Sequence, residues 1–252
     1  MENENDNLLN IKKQDNKDDH NSIIYILTNI MKDDDVNEQV IQLFNDLKCY
    51  KNQYFLKESL KIFNYDTHSL AKFISELLVF RNNYYPINSS IEESLIESVI
   101  KTNLVALKGY SKKGYPTIVI KAKNSCPKIG TVEEKVSYIF FIFENLLKYC
   151  IEKNLYKICI IYDRGDYDKD LHFDHEMAEK MKTHKFTKMY NFLTEFVDII
   201  CIMNLNFIYR MMIKMYRLVN NDKNLDKLVV TSSKNDLLEY WNKEELIDEF
   251  KG

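Results

Sequence analysis

Residues 195–230 read EFVDIICIMNLNFIYRMMIKMYRLVNNDKNLDKLVV. Ile199–Met203 is a short apolar run rich in β-branched residues, the composition of a strand buried on both faces. Phe207–Val219 has helical spacing instead. Met211, Met215 and Leu218 share one side of that helix, and Arg210, Lys214 and Arg217 share another. Leu228–Val230 is a second apolar run, bounded by Asp226-Lys227 on one side and Ser232-Ser-Lys-Asn-Asp236 on the other. Strand, crossover helix and parallel strand make a βαβ unit. Two charged residues, Glu195 and Lys227, stand at the entrances to its strands. A final helix and a terminal glycine are expected to close the chain.

Upstream, Lys157–Tyr162 (KICIIY) reads as a further buried strand. It ends in an acidic loop, DRGDYDKDLHFD, over Asp163–Asp174, and a helix is expected over Glu176–Leu193. Before the strand, Thr131-Val-Glu-Glu134 is a capping box. It opens a long helix to about Lys153, with Val136, Ile139, Phe140, Phe143, Leu146, Leu147 and Cys150 on its apolar side. Leu104–Leu107 and Thr117–Ile120 form a hairpin around the turn Lys112-Lys113-Gly114. The first hundred or so residues differ: helices are predicted over Ser22–Met31, Val36–Leu47, Leu56–Phe63, His68–Phe80 and Ile91–Ile100. In the fourth, Leu70, Phe73, Ile74, Leu77 and Leu78 recur at helical spacing. Residues 1–20 are polar and charged and read as a disordered lead-in. The expected organisation is that lead-in, a helical lobe over 21–101, and an α/β domain with a mixed or mostly parallel sheet over 102–252.

Composition narrows the function. The formal net charge is −3, without the basic excess of a nucleic-acid-binding domain. The five cysteines include no C-x-x-C and suit free thiols in a reducing compartment. No apolar run approaches the roughly 18 residues of a spanning helix. A cytoplasmic protein is expected, with membrane contact at most peripheral, acting as a monomer.

In this order, the elements and their residues resemble the CRAL-TRIO family of lipid-binding and lipid-transfer proteins, from about Phe55 to Gly252. Phe63-Asn-Tyr-Asp66 and the helix to Phe80-Arg81 are similar to the family's helical segment "R-K-F-D … W-R". Lys112-Lys113-Gly114-Tyr115-Pro116 is similar to its hairpin "D-K-x-G-R-P-V". Ile160-Ile161-Tyr162-Asp163 with Gly165 resembles "I-x-D-x-x-G", and Ile202-Met203-Asn204 resembles "I-I-N-A-P". Leu225-Asp226-Lys227-Leu228 resembles "V-x-K-I", and Phe250-Lys251-Gly252 the closing "x-G-G". Each piece is weak alone; together and in order they are specific.

The resemblance implies a helical lobe beside a sheet that floors a hydrophobic lipid pocket, with a mobile helix as gate. It implies a phospholipid ligand and no other cofactor. In members that transfer phosphatidylinositol, a Glu and a Lys help bind the headgroup; they fall here on Glu195 and Lys227, with a neighbouring polar position on Asn224. Positions that hold choline in dual-specificity members fall on Leu107, Ile118, Ile158 and Ile160, none able to donate a hydrogen bond. This pattern favours phosphatidylinositol over phosphatidylcholine. Ile118, Ile120, Ile158, Ile160, Ile200 and Ile202 are the expected lining at period two. The expected gate helix carries Met211, Met212 and Met215 beside Arg210, Lys214 and Arg217, adaptable apolar groups next to cations suited to anionic lipid. Its partners would be the lipid, a transient membrane surface and, as a further candidate, a phosphoinositide kinase. "I-I-N-A-P" has become Ile-Met-Asn-Leu-Asn, so the start of the gate helix departs from the family pattern.

Blander readings stand beside these. Without the resemblance, the isoleucines would be a dry core and Glu195 and Lys227 two exposed charges. The gate would be an ordinary amphipathic core helix. A degenerate scaffold or interaction module, or a carrier of another hydrophobic ligand, is the alternative function. Asp166–Asp170 begins like a calcium loop, but Leu171 replaces its glycine and Met177 its terminal glutamate. His172, His175 and Glu176 lack the H-E-x-x-H order of a zinc site. Asp163 with Asp166 and Asp168 would have to serve a hydrolase without any glycine-rich phosphate loop or nucleophile motif.

Overall fold

The computed structural model describes residues 17–34, 36–84, 93–153, 155, 157–219, 226–231 and 233–251. Two compact units divide the chain, one of residues 1–88 with 147–154 and one of 89–146 with 155–252.

In the first unit, four helices follow one another: α1 Lys17–Asp33, α2 Glu38–Asp46, α3 Gln53–Ile62 and α4 Thr67–Tyr84. The helix α1 begins inside the stretch expected to be a disordered lead-in; residues 1–16 lie outside the described residues. Asn37 caps α2 by accepting the Gln39 N–H, and Asp66 caps α4 by accepting the Ser69 N–H and O–H. Leu27, Leu43, Phe44, Leu56, Leu70, Ile74 and Leu78 are buried in their own helices' apolar stripes.

The second unit holds α5 (Glu93–Ile100), β1 (Val105–Tyr110), β2 (Pro116–Lys121), β3 (Ile158–Asp163), β4 (Val197–Met203), α10 (Phe207–Val219) and β5 (Leu228–Thr231). Between β2 and β3 runs α6 (Val132–Glu152), and between β3 and β4 run α7 (Lys169–His172), α8 (His175–Met181) and α9 (His184–Thr194). The five strands form one sheet in the order β1-β2-β3-β4-β5. The pair β1–β2 is antiparallel and the other three pairs are parallel, so the sheet is mixed and mostly parallel. The capping box closes as read: Glu134 N–H donates to Thr131, and Thr131 N–H to the Glu134 carboxylate. Gly109 lies within the β1 irregularity at φ 69°, and a Cβ there would lie 1.9 Å from the Glu245 carbonyl oxygen, so the position requires glycine.

Two elements differ from expectation. The single helix expected over Glu176–Leu193 is broken between α8 and α9, where Thr183 is extended at φ −63° and ψ 147°. Its hydroxyl bonds back to the Lys180 carbonyl, the local competition that makes threonine a poor helix interior. The expected C-terminal helix is three short 3₁₀ turns, Lys234–Glu239, Lys243–Glu245 and Asp248–Phe250. That broken path lets Leu237, Trp241, Leu246 and Phe250 all drop into one core, against Val119, Cys159, Ile161, Ile199, Cys201 and Met203. The Trp241 indole N–H donates to the Thr117 hydroxyl at 2.7 Å, which satisfies two polar groups inside that core.

Candidate functional site

Side chains alternate between the two faces of the strands, so each face of the sheet has its own rows. On the face away from the Trp241 core, paired residues make two rows across the sheet. The first is Leu107, Ile118, Ile160, Ile200 and Leu228; the second is Val105, Ile120, Tyr162, Ile202 and Val230. All six isoleucines expected to line a pocket stand on this face, with Ile158 two residues ahead of Ile160 in β3. Ile118 is buried, while Ile120, Ile158, Ile160, Ile200 and Ile202 are half-buried. The alternation is plain in β3 and β4, where every second residue is buried and the intervening ones are not. The four positions expected to lack headgroup donors are therefore neighbours, and the first row contains no hydrogen-bonding side chain.

At the N-terminal edge of the sheet, the structure brings Glu195 and Lys227 together. The ammonium lies 3.6 Å from a carboxylate oxygen of Glu195, with the lysine side chain 22% exposed and the glutamate 43%. Lys227 also donates to the Thr194 carbonyl at 3.1 Å. A partly exposed ion pair contributes at most about 1 kcal/mol, so its stabilising value is small. A third charge was not singled out in the sequence: Lys157, just before β3, donates to the Glu195 carbonyl. Its signal is its position, one residue before a parallel strand, as Lys227 is before β5. Asn224 lies outside the described residues.

The C-terminal edge is built differently. Asp163 is buried and its Oδ1 accepts the Gly165 N–H at 2.8 Å and the Asn204 amide at 2.7 Å. Asn204 is left-handed, with φ 58°, a conformation asparagine tolerates. A side chain on Gly165 would crowd this knot, since its Cβ would lie 3.1 Å from both Asn204 Nδ2 and Asp163 Oδ1. Asn206 then starts α10 by accepting the Tyr209 N–H, in the place where the family pattern has a proline. The Arg164 guanidinium sits 4.3 Å from the Tyr209 ring centre and 4.9 Å from that of Tyr167.

The helix α10 is not a core helix. Phe207, Ile208, Met211, Met212 and Met215 are all exposed, Met215 by 61%, and Arg210 and Lys214 are exposed beside them. Arg217 belongs to the same helix; its side chain lies outside the described residues.

Two aspartates of the acidic loop, Asp168 and Asp174, cap helices. Asp168 accepts the Asp170 N–H at the start of α7. Asp174 accepts the Met177 N–H at the start of α8 and pairs with Lys135 at 2.6 Å. Among the described residues, no group of three His, Cys, Asp or Glu side chains is gathered to hold a metal ion.

Comparison with known proteins decides the family. The family model described as the CRAL/TRIO domain matches residues 100–252. The chain belongs to the CRAL/TRIO domain family. Membership places it among lipid-binding and lipid-transfer proteins. The match spans the sheet, the Glu195–Lys227 edge and α10. Solved structures share this CRAL/TRIO fold. One, titled "Crystal structure of Sfh5", has a TM-score of 0.56 at 14% identity, over 90% of this chain and 85% of that one. At that identity the likeness is one of fold. The search of curated proteins finds no match. Among the described residues, no helix of this CRAL/TRIO protein is long and apolar enough to cross a membrane.

Proposed function

We propose that this CRAL/TRIO protein binds one phospholipid, phosphatidylinositol by preference, and transfers or presents it at the cytoplasmic surface of membranes. The observation that carries this reading is the adjacency of two unlike features. An apolar row without a donor runs across the sheet, and Lys227 of the ion pair directly precedes that row's Leu228, its carbonyl accepting the Ile200 N–H. Acyl chains laid on the isoleucine floor gain about 0.8 kcal/mol per methylene relative to water. A bilayer offers the same gain, so choice among lipids must come from the headgroup. Glu195 can accept from inositol hydroxyls, and Lys227 can donate to the phosphate. The apolar row Leu107–Ile118–Ile160 offers choline nothing to replace its hydration.

The exposed helix α10 is the gate in this reading. Its exposed Phe, Ile and Met side chains suit the headgroup–acyl boundary, and Arg210 and Lys214 suit anionic lipid. The test is extraction of labelled phosphatidylinositol from vesicles by the full chain, with bound lipid identified by native mass spectrometry. The Glu195→Ala and Lys227→Ala variants should each lose at least about tenfold in retained phosphatidylinositol, the scale of a charge-assisted hydrogen bond. Wild-type protein that carries no lipid and moves none would sink the reading.

A further inference from the structure

We infer that Met211, Met212 and Met215 make the exposed face of α10 an oxidation site, where a peroxide converts the thioethers to sulfoxides and so weakens the hold of this face on a bilayer. This rests on the reading of α10 as a gate that meets membranes, and adds to it a modification of the same surface.

Helix geometry sets the face. At about 100° per residue, Phe207, Met211, Met215, Ile208 and Met212 fall in that order within an arc of about 140°. All five side chains are exposed, Met211 by 46%, Met212 by 58% and Met215 by 61%. Lys214 and Arg210 border the arc on its Phe207 side. Tyr209 and Ile213 lie across the helix from it, where the Tyr209 ring meets Arg164 and Ile213 is half-buried. Three of the chain's nine methionines thus stand within five residues, on one apolar arc. Met31 in α1, Met189 in α9 and Met203 in β4 are buried instead, and Met181 on α8 is exposed by itself.

Methionine has a plain use on such a face, since its flexible side chain adapts to changing partners. Two features point beyond that use. First, the thioether needs no deprotonation to react, so access alone governs it, and these three have access. The thiols compete poorly: burial pushes Cys150 and Cys159 up to about 11 and Cys201 up to about 12, which leaves little thiolate. Second, methionines are three of the five apolar groups on the arc, so their oxidation changes the character of the whole face. In the step itself, the sulfur lone pair attacks one oxygen of hydrogen peroxide and the O–O bond breaks. The other oxygen leaves as hydroxide and takes up the remaining proton as water. Sulfur is oxidised by two electrons and the peroxide is reduced. The sulfoxide is polar and no longer favours the headgroup–acyl boundary. Arg210 and Lys214 keep their charges, so the loss falls on apolar insertion.

The experiment treats the full chain with hydrogen peroxide and then with dithiothreitol, which returns reversibly oxidised thiols and leaves sulfoxides in place. Peptide mass spectrometry should find Met211, Met212 and Met215 oxidised at least about tenfold faster than Met31, Met189 and Met203. Affinity for vesicles of phosphatidylcholine and phosphatidylserine should fall at least about tenfold. Methionine sulfoxide reductases for both sulfoxide epimers should restore it. A variant carrying Met211→Leu, Met212→Leu and Met215→Leu is compared with its own untreated sample, and peroxide should leave its affinity unchanged. Met181 remains oxidisable in that variant and so controls for α8. Undiminished vesicle binding by protein that carries all three sulfoxides would overturn the inference. So would an equal loss in the leucine variant, or oxidation of the buried methionines at the same rate. An untreated wild type that does not bind the vesicles would instead overturn the gate reading on which this one rests.

Discussion

The two faces of the sheet are made by the same strands from the same kinds of residue, yet they end in different states. On one face Cys159, Ile161, Ile199, Cys201 and Met203 are buried beneath Leu237, Trp241, Leu246 and Phe250 from the C-terminal turns. On the other, Ile160, Ile200, Ile202 and Leu228 remain half-buried. β-branched composition alone does not distinguish a core from a floor. What distinguishes them is whether the chain supplies a cover to full depth. Only an incompletely covered apolar face leaves area for acyl chains, and the proposed role needs that asymmetry.

Truncation on each face should expose the difference most strongly. Trp241→Ala opens a large cavity and strands the Thr117 hydroxyl, so it should cost about 3–5 kcal/mol in urea denaturation. Ile200→Ala removes a half-buried side chain and should cost roughly 1–2 kcal/mol. If Ile200→Ala cost as much as Trp241→Ala, the floor would be a filled core and the lipid reading would lose its footing.

Thiol chemistry sharpens the same contrast with a smaller effect. Burial pushes the Cys159 thiol up to about 11 and the Cys201 thiol to about 12. A thiol at 11 is about one-thousandth thiolate at pH 8, and the thiolate is the reactive form. Maleimide at pH 8 should therefore modify the half-buried Cys126 first and leave Cys159 and Cys201 unmodified in the folded chain. An Ile160→Cys variant places a thiol on the floor, next to Cys159 in sequence but on the other face. It should react faster than Cys159, and bound phospholipid should slow it. Equal protection of both positions without lipid would contradict the difference between the faces.

Much of this architecture is legible in the sequence because single elements carry their own signals. The expected bounds of α10, Phe207–Val219, are those observed, since its helical spacing runs between two polar breaks. Period-two alternation placed Ile118, Ile160 and Ile200 on one face without knowledge of register. Two things are not legible. Spacing shows that a helix has an apolar side, but not whether anything covers it; α10 has the pattern of a core helix and is exposed. Nor does spacing reveal a cover made of short turns. Leu237, Trp241, Leu246 and Phe250 look like an irregular helix until the sheet beneath them is known. Lys157 escapes for a related reason: it is an ordinary strand-flanking lysine until the end of α9 is brought to it.

The least secured apolar surface on the proposed gate side is α10, and its first turn meets Arg164, stacked on Tyr209 and Tyr167. A cation–π contact at such a site contributes about 0.5–1 kcal/mol. Arg164→Ala should leave the Trp241 core unaffected, because Asp163 still holds Asn204 and Gly165 through its own hydrogen bonds. The first turn of α10 should open more often, raising amide hydrogen exchange near Tyr209 by about two- to fivefold. Exchange in β3 and β4 should not change. If the proposed gate moves with lipid, phosphatidylinositol transfer should quicken in the same variant, since less is lost when Tyr209 leaves Arg164. Unchanged exchange at Tyr209 would mean that Asn206 and the Asp163 knot hold the helix start by themselves, and the hinge would then lie on the Asn204 side rather than at Arg164.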